Sequence, residues 1–226
     1  HDLLPGALLD DLSPLPPDLI SPRVLTPAGL LVFGGAPKVG KSDFLLSWLT
    51  HMAAGATFLG MRPPRPLRVF YLQAEVQYHY LRERVKEIQL PPHRLLDARV
   101  NFVATPQLRM VLDDAGLEQV IPAIANAFGG LPPDIIAIDP IRNVFDGGDA
   151  GGENDNGAML YFLWQRVDRI RQAVNPDAGR HRVPAFKGAP GAFVEEEGDR
   201  VDHRLDEREA GRHRHRLTYL PSRASN

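Results

Sequence analysis

There is no cysteine among the 226 residues, which excludes both disulfides and thiolate zinc sites. No apolar run approaches the ~20 residues that a bilayer-spanning helix needs, and no N-terminal signal peptide pattern is visible. Nor does one sign of charge dominate. The 26 Lys and Arg stand against 28 Asp and Glu, a net charge of −2, so bulk charge points neither to nucleic acid nor to a membrane surface. A local basic patch is compatible with that balance. These absences predict a cytoplasmic protein with no membrane segment. The chain opens at His1 rather than Met, as a fragment would.

Apolar residues make up 43% of the chain, enough for the core of one α/β domain at this length. Residues 1–28 form an arm rich in Pro, Leu and Asp, in which Pro14, Pro16, Pro17, Pro22 and Pro27 forbid a long helix. Leu30-Leu31-Val32-Phe33 reads as a short buried strand that ends at Gly34-Gly35. A helix follows from Lys41, with Phe44, Leu45, Trp48, Leu49 and Met52 at helical spacing and Gly55 as its stop. Leu67–Leu72 reads as a second strand, Tyr78–Gln89 as a charged amphipathic helix, and Val100–Val103 as a third strand. Leu117–Phe128 is a predicted helix in which Pro122 is tolerable only near the start. Ile135-Ile136-Ala137-Ile138 is the most apolar strand and ends at Asp139.

Residues 146–157 form a Gly/Asp/Asn loop. Beyond it Leu160, Leu163, Trp164, Val167, Ile170 and Val174 mark a long amphipathic helix. Trp48 and Trp164 sit on apolar helical faces and are read as core residues. Strands alternating with helices predict a parallel sheet with right-handed crossovers. No internal repeat is visible.

The chemistry concentrates in one run. Gly35-Ala36-Pro37-Lys38-Val39-Gly40-Lys41-Ser42 matches G-x-x-x-x-G-K-[ST] in full. The glycines let the backbone turn its N–H groups inward to phosphate oxygens, Lys41 reaches the β and γ phosphates, and the Ser42 hydroxyl serves Mg²⁺. The helix N-terminus aims at the same anion, and Asp43 completes the predicted nucleotide-contacting set. Strand, loop and helix fall in the order this mechanism requires. ATP and Mg²⁺ are the expected ligands.

Asp139, closing the Ile-rich strand, is the predicted second metal residue, acting through water; the plainer reading is a strand-capping Asp in a turn with Pro140. Glu75, three residues past the strand Leu67–Leu72, is positioned to polarise an attacking water as general base. An exposed loop carboxylate is the alternative, and the residues alone leave both open. Asp146, Asp149, Glu153, Asn154, Asp155 and Asn156 make an acidic loop without EF-hand spacing, read as a flexible segment. Arg142 reads equally as a phosphate or DNA contact and as a solvated side chain. His213 and His215, among arginines, read as a metal or nucleic-acid patch, and the metal reading lacks Cys or a partner pair of ligands.

The runs LLVFGGAPKVGKSDFLLSWLTHMAAG, VFYLQAE and IIAIDPIR resemble the RecA-like ATPases, and within them the RepA-type group of plasmid replicative helicases and their relatives. The arm LISPRVLTPAGLLVFGG is similar to the segment leading into the P-loop in that group. The resemblance covers roughly residues 17–178. It implies an α/β RecA-like P-loop fold, a mainly parallel sheet flanked by helices, with the core at residues 29–179. It implies a ring-shaped homo-oligomer, often a hexamer, with ATP between subunits. It implies that Lys41 and Ser42 hold phosphate and Mg²⁺, that Glu75 activates water, and that Asp139 serves the metal. Hydrolysis would then move central loops along single-stranded DNA.

The pattern breaks after Gly179. The family continues with an apolar strand ending in a polar sensor, commonly His or Gln, and later supplies an arginine finger. Arg180-His181-Arg182-Val183-Pro184 cannot be a central strand, because the charges are wrong and Pro184 lacks an N–H. Residues 180–226 carry half of the eight histidines and few apolar residues, so the sheet is expected to be incomplete at its C-terminal end and the tail poorly ordered or weakly helical. Gly179–Lys187 can be encoded by codons that, read one nucleotide forward, spell Ala-Val-Ile-Val-Ser-Gln-His-Ser-Lys, an apolar strand ending in Gln-His. A frame-shifted tail is therefore a specific expectation. Such a tail would expose apolar surface along Ile135–Ile138, weaken ATP binding and remove hydrolysis and assembly.

Three functions are compatible with these residues: an ATP-driven motor on DNA, a RecA-like regulatory switch without helicase activity, and a P-loop small-molecule kinase. The kinase would need an arginine-bearing lid, and no such segment stands out.

Overall fold

The structure is a computed structural model and describes residues 9–175; the expectations placed on residues 180–226, including His213 and His215, lie outside that range. Helix α1 (Lys41–Ala53) is followed by β1 (Val69–Gln73), α2 (Tyr78–Glu87), α3 (Leu95–Asn101), β2 (Phe102–Thr105), α4 (Asp114–Asn126) and β3 (Ile135–Asp139). Then α5 (Asn156–Tyr161), a π-helical stretch (Phe162–Val167) and α6 (Asp168–Val174) follow one another without a break.

The three strands form one parallel sheet in the order β2-β1-β3. Val69 pairs with Phe102 on one side and with Ile135 on the other, and the register runs on to Gln73 opposite Asp139. β1 is buried along its whole length, as expected of a parallel strand covered on both faces. Alternation along the strands divides the core. Val69, Tyr71 and Ile135 pack with Leu45, Leu46, Trp48, Leu49 and Met52 of α1 and with Leu81 of α2. Phe70 and Leu72 pack with Leu117, Val120 and Ile124 of α4 and with Phe162, Ile170 and Val174 of the last helix. The result is an α/β P-loop fold of the RecA-like kind, with a helical layer on each face of the sheet.

The arm contributes to the first layer. Ile20 is fully buried there, and the Ser21 and Arg62 backbones exchange hydrogen bonds of 2.8 and 2.9 Å. Among the described residues no helix is long and apolar enough to cross a membrane.

Several predicted elements differ from those observed. Leu30–Phe33 is not a strand. Leu30, Leu31, Val32 and Phe33 are 63, 40, 64 and 40% exposed, and they pair with no neighbour among the described residues. The third strand starts at Phe102 because α3 occupies Leu95–Asn101. Pro122 lies well inside α4, which begins at Asp114 with the Asp113 carboxylate accepting from Gly116 N. Both Pro122 and Glu118, whose carbonyl loses its helical donor, are exposed, so water can satisfy that carbonyl.

Trp164 is not a core residue: it is 63% exposed. The cause is the π-helical stretch, whose wider turn shifts the inward face. Ala158, Phe162, Arg166, Ile170 and Val174 are the buried positions there, one every four residues. Trp48, by contrast, is buried and meets Phe33 edge-on at 5.5 Å.

Candidate functional site

The loop from Gly35 to Gly40 leads straight into α1. Gly40 stands at the N-cap with φ +83°, in the left-handed region that favours glycine. An added Cβ there would touch nothing within 4 Å, so the constraint is conformational. The Lys41 ammonium folds back over the loop and donates to Gly35 O at 2.8 Å and Ala36 O at 2.7 Å. The loop thus curls around the lysine, with Lys41 and Ser42 half-buried and Gly35, Ala36, Pro37, Lys38, Val39 and Gly40 exposed.

Asp43 turns away from the loop and forms an ion pair with Arg84 of α2 at 3.0 Å. Leu67 N donates to Met52 O at the far end of α1, so α1 runs antiparallel to β1. Its N-terminus therefore lies at the carboxyl edge of the sheet.

Asp139 stands at that same edge. Its carboxylate Oδ2 accepts a 2.5 Å hydrogen bond from the buried Tyr71 hydroxyl. Burial, followed by the Asp139 hydrogen bond and charge, pushes the Tyr71 phenol far above its ordinary range. The charges of Arg84 and Asp43 also act on that phenol, lowering and raising it respectively.

Glu75 lies two residues past Gln73, the register partner of Asp139, and its side chain is exposed. Ala74 N donates to Asp139 O, and Asn143 Nδ2 donates to Ala74 O at 3.0 Å. The backbone carrying Glu75 is thus stitched to the end of β3. Lys41 and Ser42 open α1, Glu75 follows the end of β1, and Asp139 closes the adjacent strand β3.

Other candidates have structural partners. Arg142 pairs with Glu153 at 3.0 Å. Asp155 caps α5 by accepting from Ala158 N, and Asp146 accepts from Gly148 N and from Arg166. Among the described residues no group of three or more His, Asp and Glu side chains is arranged to hold a metal by itself.

Tyr71, Arg84 and Gln73 escaped the sequence reading. Gln73 is buried, its Oε1 accepting from Gln107 N at 3.2 Å while its Nε2 has no partner among the described residues. A polar residue closing an apolar run was the available signal for it. Tyr71 carried none, because its partner lies 68 residues away.

No curated protein and no solved structure gives a significant match. A family model described as AAA domain matches residues 5–177, well over half of the chain, and takes in the loop, α1, Glu75 and Asp139. The chain belongs to this AAA-domain family of P-loop ATPases.

Proposed function

We propose that the chain binds ATP with Mg²⁺ at residues 35–43 and couples its hydrolysis to movement along single-stranded DNA, as a helicase-like motor of the RepA type. The observation that carries the nucleotide site is the Lys41 ammonium held inside its own loop by Gly35 O and Ala36 O, beside the edge where Asp139 ends β3. A triphosphate replaces those two carbonyls with stronger, charged acceptors.

The oxygen donors present suit Mg²⁺, a hard ion that keeps several waters and binds through few protein ligands and substrate phosphates. The Ser42 hydroxyl and the Asp139 carboxylate are the residues that would hold it. Tyr71 takes up Oδ2 of Asp139, which leaves Oδ1 for the metal or its water. Glu75, exposed just beyond β1, is the general base for the attacking water in this reading.

The DNA role rests on the resemblance of three runs, from Leu30 to Gly55, from Val69 to Glu75 and from Ile135 to Arg142, to the replicative helicases. Assembly into a ring and action in the cytoplasm belong to the same reading. Titration of single-stranded DNA at several salt concentrations, with phosphate release followed in parallel, tests it. A motor binds with affinity that falls as salt rises and hydrolyses ATP faster with DNA present. Salt-independent or absent binding with unstimulated turnover leaves the regulatory switch instead.

A further inference from the structure

Glu75 stands in a bend whose backbone is fastened from both sides. On the β2 side Thr105 Oγ1 accepts from Gln73 N at 3.0 Å, Leu108 N donates to Gln73 O at 2.9 Å, and Gln107 N donates to Val76 O at 3.0 Å. On the β3 side Ala74 N donates to Asp139 O at 2.9 Å. The group joined directly to the Glu75 nitrogen is the Ala74 carbonyl, and its partner is a side chain: Asn143 Nδ2 donates to it at 3.0 Å.

That one bond has a geometric consequence. A peptide unit is planar. With Ala74 N held by Asp139 and Ala74 O held by Asn143, the torsion between them is set, and with it the positions of Glu75 N and Cα. The Gln107 bond to Val76 O holds the chain on the far side. Within this frame the exposed Glu75 side chain leaves the backbone in a fixed direction. Ala74 is itself buried, so water is a poor substitute for the Asn143 donor.

Asn143 is also held in place. It closes a 3₁₀ turn, Ile141–Asn143, that begins two residues after Asp139. Its own N–H bonds to Pro140 O at 3.3 Å, and the next residue, Val144, is fully buried and accepts from Leu112 N at 2.8 Å. The turn is anchored in the core while the Asn143 amide reaches back to the end of β1. An Asp here would keep the shape and lose the N–H. The run from Asp139 to Asn143 thus carries the proposed metal carboxylate at its start and the donor to the Ala74–Glu75 peptide at its end.

We infer that Asn143 is a positioning residue for Glu75, fixing the peptide from which the proposed general base projects; the catalytic consequence rests on the hydrolysis reading above, the orientation does not. Asn143 acts through Glu75 and touches no reacting atom.

Backbone amide relaxation by NMR on the 226-residue chain, on Asn143→Asp and on Asn143→Ala tests the orientation. The Glu75 order parameter is expected to fall from about 0.85 to below about 0.6 in both variants, while Val69 and Tyr71 in β1 keep theirs and show that the fold is retained. An unchanged Glu75 value, or one already low in the parent, overturns the inference. Phosphate release tests the consequence. Each variant should keep the parent's KM for ATP within about twofold and lose about tenfold to a hundredfold in kcat, yet lose nothing further where Glu75→Gln is already present. A full additional loss in the Glu75→Gln background overturns the inference, because Asn143 would then act independently of Glu75. So does parental kcat in Asn143→Asp beside a slow Glu75→Gln. Parental turnover in Glu75→Gln alone, or none in the parent, counts against the hydrolysis reading instead, and the relaxation measurement then decides the orientation by itself.

Discussion

The Tyr71 hydroxyl on β1 donates to Oδ2 of Asp139 on β3 at 2.5 Å, across the strand pair that ends at the candidate site. Because burial and Asp139 hold the phenol protonated, the donor is permanent at any ordinary pH, and it fixes which carboxylate oxygen faces outward. Tyr71→Phe removes the donor and keeps the ring. Expected are a stability loss of ~0.5–1.5 kcal/mol and a rise of about tenfold or more in the Mg²⁺ concentration that supports ATP binding, the usual size of an orienting partner's effect on a metal. Metal titrations on parent and variant measure it, and superimposable curves would remove Tyr71 from the site.

Glu75 gives a separation of binding from chemistry. Glu75→Gln should bind ATP with the parent's affinity and turn it over at about a hundredth of the rate or less, the typical contribution of a general base. Phosphate release from the 226-residue chain measures it, and undiminished turnover in the variant of a parent that hydrolyses ATP would assign the base elsewhere.

At the opposite edge of the sheet Asp134 accepts from both terminal nitrogens of Arg65, at 2.8 and 2.9 Å, and from Arg68 N at 2.7 Å. Burial pushes this carboxyl up, but the Arg65 hydrogen bond, the Arg68 backbone and both guanidinium charges outweigh it and hold it below the ordinary range. A depressed folded value stabilises the protein above the unfolded value of ~3.9, and that stability is lost as pH falls through the folded value. The unfolding midpoint should therefore drop as acid is added below about pH 4. Asp134→Asn should flatten part of that acid limb and cost ~1–3 kcal/mol at neutral pH. Urea melts from pH 3 to 7 decide it, an unchanged acid slope counting against the assignment.

Arg166, in the π-helical stretch, is the buried charge among the described residues. It donates to Asp146 Oδ2 at 2.7 Å, Asp114 Oδ1 at 2.9 Å and the Tyr161 hydroxyl at 2.9 Å, tying α4, the loop after β3 and the π-helical stretch together. Arg166→Met leaves the Asp146 carboxylate without its guanidinium and should cost ~2–3 kcal/mol, read as a lower urea midpoint. A change below ~0.5 kcal/mol would mean the network is only a surface feature.

Legibility followed the range of the interactions. The phosphate loop, α1 and the strand ending in Asp139 were readable because each rests on a contiguous run: a glycine-lysine signature, a helical repeat, four apolar residues. The Leu30–Phe33 run was equally apolar, yet it forms no strand here, since a strand exists only with a neighbour to bond. Trp164 was misplaced because a 3.6-residue period cannot register a π-helical turn, whose buried positions fall every four residues. Tyr71–Asp139, Arg65–Asp134 and Arg166–Asp114 join residues 68, 69 and 52 positions apart, and no local pattern announces such partners.

The central claim is that residues 35–42 bind a triphosphate through Lys41. The most direct measurement is calorimetric titration of ATP with Mg²⁺ into the parent chain and into Lys41→Ala. The Lys41 ammonium's only hydrogen bonds among the described residues are to its own exposed loop, so the variant should stay folded, its stability within ~0.5 kcal/mol of the parent. Loss of a charged contact to phosphate predicts affinity weaker by about tenfold to a hundredfold. Equal affinity in a folded Lys41→Ala variant would contradict the account.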